Sequence, residues 1–280
     1  MNWLKKDFLF RFRPKMHTWN WHTWEGMPYL TCSLLERLPH GFFTHQFWSR
    51  SPQELTKVLQ PEALAYRLKQ VHGNIVLTPQ EITSKLNAGG NDVEGEGDSA
   101  LVLGDGLMSE EPLQALWVAS ADCTPVLIAD EKTLQVAALH AGWRGTASKI
   151  VPQAIARFIA QGSKIENLQI ALGPAIAGEV YQVSEQVAAE IGASIIPHND
   201  EKTIIDAMYQ LANSPLLPDP NPGKVRLDVR RVNALQMEML GIASEQIAIA
   251  PYCTFQTPDY FFSYRREKQK KVQWSGIVSI

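Results

Sequence analysis

Three short words in this chain place a soft or borderline metal ligand in a glycine- or turn-rich setting. They are Gln70-Val71-His72-Gly73, Ala121-Asp122-Cys123-Thr124-Pro125 and His140-Ala141-Gly142-Trp143-Arg144-Gly145. The ligands stand 51 and 17 residues apart, which is not the spacing of a zinc finger or ribbon. If they converge, they supply two imidazole nitrogens and a thiolate. Three protein ligands leave the fourth tetrahedral position of zinc open to water or substrate, as in a catalytic rather than a structural site. The plainer alternatives are a buried cysteine that only packs and histidines that only hydrogen-bond within loops. Arg144 lies between Gly142 and Gly145 just before an expected helix, where backbone N–H groups and a guanidinium together suit an anion. Asp122, beside Cys123, suits proton transfer or support of a ligand, or else a turn cap. Cys253 is a weaker nucleophile candidate without a neighbouring base, and Arg265-Arg266 face either an anionic ligand or water.

The elements that must carry these words alternate between strand and helix. Apolar runs at Leu113 to Ala119, Val126 to Ala129 and Leu134 to Leu139 read as buried strands, followed by Leu168 to Leu172, Ile247 to Ala250, Tyr260 to Tyr264 and Ile277 to Ile280. Helical spacing marks Leu55 to Gln70 after the Ser51-Pro52 start signal, and Thr146 to Ala160. It also marks Glu185 to Ile191 behind Ser184, and Leu227 to Leu240 before Gly241. Gly89 to Gly97 and the proline-rich Pro215 to Pro222 read as loops. Strands in clusters between amphipathic helices predict an α/β layered fold with a mixed sheet.

The 280 residues carry 26 Lys+Arg against 29 Asp+Glu, a net charge of −3, which argues against a nucleic-acid partner. Three widely separated cysteines, with no C-x-x-C pair, do not form a disulfide framework and fit a reducing cytoplasm. No apolar stretch is long enough to span a membrane, and the N-terminus lacks the apolar core of a signal peptide. Residues 1–28 instead form a Trp-rich arm with Trp3, Trp19, Trp21, Trp24 and several basic residues, expected to pack its rings on the remaining domain, 29–280. No Walker A, zincin, nucleophile-elbow or dinucleotide fingerprint occurs, and Gly95-Glu96-Gly97 lacks the further glycine.

Taken in order, several words resemble one family. They are His40-Gly41-Phe42-Phe43-Thr44, Gln70-Val71-His72-Gly73, Gly97-Asp98-Ser99-Ala100-Leu101-Val102 and the Asp122-Cys123 and His140-to-Gly145 words. Gly173-Pro174-Ala175-Ile176, Leu227-Asp228-Val229 with Asn233, and Cys253-Thr254 leading to Phe261 through Arg266 complete the set. The chain resembles the purine nucleoside phosphorylases formerly called laccase-domain or multicopper polyphenol oxidase proteins. The resemblance implies a single-domain, three-layer α/β/α fold shared with some cysteine-dependent toxin and deamidase domains, and zinc held by His72, Cys123 and His140. It implies phosphorolysis of adenosine, inosine or methylthioadenosine, with adenosine deamination in the same pocket. Arg144 then holds phosphate and Asp122 manages a proton. Two departures stand out: His45-Gln46-Phe47-Trp48 replaces the family's arginine and glycine pair, and Lys271 through Gly276 replaces its closing T-G-R word. The older label, a copper-dependent phenol oxidase, expects His-x-His pairs, and no two of the seven histidines are so placed. A metal-free cysteine hydrolase using Cys123 is a further alternative, and a partner-binding protein working through the arm another.

Overall fold

The computed structural model of the chain describes residues 17–95 and 100–280. Trp3 and the basic residues Lys5 to Lys15 lie outside them, as do Glu96 to Ser99 of the glycine- and acid-rich loop. Most strands fall into two six-stranded mixed sheets. In spatial order the first is Trp19–Trp24, Met27–Cys32, His40–Phe43, Gln273–Val278, Gln114–Ser120 and Leu64–Tyr66. The second is Ile247–Ile249, Leu168–Leu172, Thr124–Asp130, Val136–Ala141, Gly106–Met108 and Val76–Leu77.

Period-two alternation explains how the sheets stack. Along Gln114–Ser120, Leu116 and Val118 enter a core shared with Leu127 and Ala129 of the second sheet. Ala115 and Trp117 point the other way, against Leu55 of helix Pro52–Leu59. Along Thr124–Asp130, Val126 and Ile128 face helices Ile150–Ala160 and Val229–Met239. Each sheet is therefore apolar on both faces, one against the other sheet and one against helices. The chain is mixed α/β and layered as expected, but two stacked sheets stand where one mixed sheet was expected between helical layers. Trp117 is 1% exposed and its indole donates to Thr56 Oγ1 at 2.9 Å. Burying such a ring contributes roughly 4–6 kcal/mol at about 25 cal/mol per Å². A third cluster gathers helices Glu185–Gly192 and Glu201–Gln210 on the small sheet Gln182–Ser184, Lys224–Leu227 and Leu216–Pro218.

Local chemistry sets the element ends. Ser51 and Glu54 close a capping box with Pro52 in the first turn. The helix then stops at Leu59, not Gln70, because Pro61 has no N–H to continue it, and Leu64–Tyr66 becomes a strand parallel to Gln114–Leu116. The helix expected over 146–160 is two helices, Trp143–Ala147 and Ile150–Ala160, separated at Lys149 with φ 62°. Tyr260 to Tyr264 forms no strand; Ser263 caps a short helix, Tyr264–Glu267. Within Pro215 to Pro222, Leu216 is buried and pairs with Leu227. The expected arm boundary at residue 28 falls inside Met27–Cys32, which pairs with Trp19–Trp24 as a hairpin. Trp21 stacks on Tyr260 at 4.6 Å and donates to the Tyr252 hydroxyl at 2.8 Å. Among the described residues, no helix is long and apolar enough to cross a membrane.

Candidate metal centre

Cys123 immediately precedes strand Thr124–Asp130, and His140 lies near the end of its antiparallel neighbour, where it pairs with Pro125. The start of one strand thus lies beside the end of the next, which brings residues 17 apart in sequence together. His72 arrives on a loop held from two sides. The Gln70 amide clamps Ala119, donating to its carbonyl at 2.8 Å and accepting from its N–H at 2.7 Å. The N–H groups of Val71, His72 and Gly73 all donate to the Asp105 carboxylate, at 3.1, 2.9 and 2.7 Å. These bonds hold His72 in a left-handed conformation, φ 62°, that costs a non-glycine residue about 1 kcal/mol or more. The outcome is one cluster: the ligand atoms of His72, Cys123 and His140 all lie within 4.8 Å of one another.

Asp105 also binds His140, with Nδ1 to Oδ1 at 2.8 Å, and is fully buried. The three backbone donors call for an ionised acceptor, so Nδ1 carries a proton, and Nε2 is the ring nitrogen left for the Cys123 thiolate or, once its own proton is displaced, for a metal. Burial pushes the Asp105 carboxyl up, but the bonds from His140 and the Gly73 and Val71 amides outweigh it and hold the group below its usual range. Burial pushes Cys123 up as well, and the charge of His140 with hydrogen bonds from both histidines brings it down to about 6. His140 is pushed down by burial and raised to about 10, mainly by the Cys123 thiolate and Asp105. Asp105 is absent from the sequence-derived residues. Its only local signal is an acid between Gly104 and Gly106 ahead of a short apolar strand.

The glycines of the His140 word make room for this approach. A Cβ on Gly142 would stand 2.8 Å from Cys123 Sγ and 3.4 Å from the His72 ring. One on Gly145 would stand 2.8 Å from the Gly73 carbonyl. Helix Trp143–Ala147 is only five residues long, so its start adds little to anion binding and the Arg144 side chain remains. That guanidinium lies 4.4 Å over the Trp143 ring and is exposed.

Asp122 adjoins Cys123 with φ 93° and ties two further segments to the site, accepting from Thr254 Oγ1 and the Arg265 N–H, both at 2.7 Å. Arg266 donates to the carbonyls of Thr254, Phe255 and Phe261. Cys253 is buried and accepts from the Ala177 N–H at 3.2 Å. Asn233 is buried, and its amide donates to Thr146 Oγ1 at 3.0 Å and to the Val229 carbonyl at 2.9 Å.

A family profile described as multi-copper polyphenol oxidoreductase laccase matches residues 50–279. The chain belongs to this family. It is similar to a purine nucleoside phosphorylase of Synechocystis sp., 51% identical over 264 residues, covering 93% of this chain and 97% of that protein. An adenosine deaminase from an unknown prokaryotic organism is 28% identical over 171 residues, 61% of this chain and 60% of that one. The crystal structure of YlmD from Geobacillus stearothermophilus shares the fold with a TM-score of 0.74 at 22% identity, covering 92% of this chain and 98% of that one.

Proposed function

We propose that the chain is a zinc-dependent purine nucleoside phosphorylase. It cleaves adenosine, inosine or methylthioadenosine with phosphate to the free base and ribose 1-phosphate, and it deaminates adenosine in the same pocket. The observation that carries this reading is the pair of imidazoles and the thiol within 4.8 Å, one of them on an exposed loop. Two nitrogens and a sulfur suit zinc with one position open, and the space beside Cys123 and His72 that a side chain at Gly142 would fill gives an ion room. Bound there, zinc supplies Lewis acidity to an oxygen at the open position.

The chain's own residues do the rest. Asp105 fixes the His140 ring and, through the backbone of residues 71–73, the His72 loop. Arg144 is assigned to phosphate. Proton transfer is assigned to Asp122, whose oxygens keep lone pairs beyond the bonds from Thr254 and Arg265. The relatives named purine nucleoside phosphorylase and adenosine deaminase support the substrate class. The three free thiols fit a cytoplasmic setting.

Cys123, His140 and Asp105 also meet the nucleophile, base and orienter pattern of a metal-free cysteine hydrolase. That reading leaves the second imidazole, His72, without a role. Copper shares a His₂Cys donor set, and metal analysis separates it from zinc. The test is phosphate-dependent release of adenine or hypoxanthine by wild type and by His72→Ala, Cys123→Ala and His140→Ala. Each variant is expected to lose zinc and most activity. A strong chelator is expected to abolish the wild-type rate and added zinc to restore it. Equal cleavage by all four proteins, activity that survives chelation, or stoichiometric copper without zinc refutes the proposal.

A further inference from the structure

Most arginines among the described residues pair with a carboxylate, as Arg157 does with Glu81, Arg230 with Asp228 and Arg266 with Glu267. Arg144 and Arg265 have no such partner among those residues, and both adjoin the His72–Cys123–His140 cluster. Arg144 follows Gly142 by two residues, and Gly142 backs directly onto Cys123 Sγ. Arg265 is fixed to the same loop through its own N–H, which donates to Asp122 Oδ2 at 2.7 Å.

The Arg265 side chain is already positioned. Its Nη1 donates to the Gln182 carbonyl at 2.9 Å, and its Cζ lies 4.7 Å over the Tyr181 ring. Those two contacts hold the guanidinium plane while leaving most of its five donors for another acceptor. Its neighbour Arg266 differs, with three backbone carbonyls and a carboxylate as partners. Tyr181 joins the two halves of the site. Burial, and then the charge of Cys123, push its hydroxyl up to about 12, while Arg265 and Arg144 pull the other way. Tyr181 and Trp143 pack against the same apolar cluster, so the ring under Arg265 and the ring under Arg144 belong to one wall of the site.

We propose that Arg265, together with Arg144 and the Tyr181 hydroxyl, forms a phosphate subsite beside the metal cluster, with Arg265 making the principal contact. The choice of phosphate as ligand rests on the phosphorylase reading; the convergence of unpaired donors does not. A tetrahedral dianion matches two planar guanidinium forks better than a lone ammonium would. Because the whole chain carries a net charge of −3, binding depends on these placed groups and not on a basic surface. Held at Arg265, the anion would lie on the Asp122 side of Cys123.

Two readouts on zinc-loaded protein test this: the KM for phosphate in nucleoside cleavage, and calorimetric titration with inorganic phosphate alone. Arg265→Gln is expected to weaken phosphate at least about tenfold in both, with the nucleoside KM within about twofold of wild type. Arg144→Gln is expected to have a smaller effect in the same direction. Arg37→Gln, at the far end of the second sheet beside Glu131, is expected to change neither. Unchanged phosphate affinity in a folded Arg265→Gln overturns the subsite, as does a wild type that binds no phosphate. Should Arg265→Gln lower the melting temperature markedly, Arg265→Lys and Tyr181→Phe decide: both weaken phosphate at least about threefold, or the subsite is rejected. Arg265-dependent phosphate binding without nucleoside cleavage refutes the phosphorylase reading and keeps the subsite. Cleavage whose phosphate dependence ignores Arg265 does the reverse.

Discussion

Replacing Asp105 by asparagine changes almost no volume and removes one buried charge, yet it sets two hydrogen bonds against each other. In the native site Oδ2 accepts from Val71 and Gly73, while Oδ1 accepts from His72 and from His140 Nδ1. An amide offers one oxygen and one NH₂, so two of these four donors meet another donor whichever way it points. Hydrogen bonds to a charged acceptor are worth about 1.5–3 kcal/mol each, so the gross loss is about 3–6 kcal/mol. Removing a buried charge offsets part of that, leaving a net destabilisation of about 3 kcal/mol. If the amide NH₂ faces His140, the ring exchanges tautomer and Nε2 becomes protonated, which takes its lone pair from the metal. Loss of such an orienting partner lowers metal affinity about 10- to 100-fold. A competition titration of zinc against a chromophoric chelator, with a urea melt of the metal-free protein, measures both effects. An Asp105→Asn protein with wild-type zinc affinity and midpoint refutes the assignment of Asp105 as the residue that fixes the ligand histidines.

Two further outcomes concern the same cluster, and a third concerns a buried histidine of the first sheet. Gly142→Ala places a Cβ 2.8 Å from Cys123 Sγ, so it is expected to lower zinc content and activity together while leaving the fold measured by far-UV circular dichroism intact. In zinc-stripped protein the Cys123 thiolate, held at about 6 by His140 against burial, is expected to make alkylation rise with pH through about 6, well below the ordinary thiol range; zinc protects it, and a half-maximal rate near pH 8.5 contradicts the ion pair. His40, 5% exposed, accepts from the Cys32 N–H and donates to the Leu38 carbonyl, and burial lowers it to about 4. The unfolded chain then takes up the proton first, so stability falls as pH drops from about 6.5 to about 4, by about 3 kcal/mol. Denaturation midpoints at pH 7 and 4.5 in wild type and His40→Gln check this, and an equal pH dependence in both refutes it.

The three words with candidate ligands were legible because metal chemistry would demand those residue types, and Gly142 and Gly145 beside His140 are required by close approach. The strand and helix alternation was legible for the same reason the core forms: apolar residues recur with the period of the element they occupy. Pro61 and Lys149 show where periodicity misleads, since a missing N–H or a left-handed residue ends a helix whose apolar spacing continues. Tyr260 to Tyr264 alternates like a strand and finds no ladder partner, so local pattern without a neighbour produced no sheet.

By itself, then, the sequence determined the donor types, the mixed α/β class and the near balance of charge, because these follow from composition and local spacing. Only the tertiary structure decided that the ligands meet within 4.8 Å, that two sheets stack and not one, and that the tryptophans of residues 19–24 belong to a sheet edge. It alone distinguished Arg265 from Arg266 and brought Asp105 and Tyr181 to the site. Adjacent residues in sequence have the same local signature; which of two neighbouring guanidiniums has its donors engaged depends on carbonyls contributed by segments elsewhere in the fold.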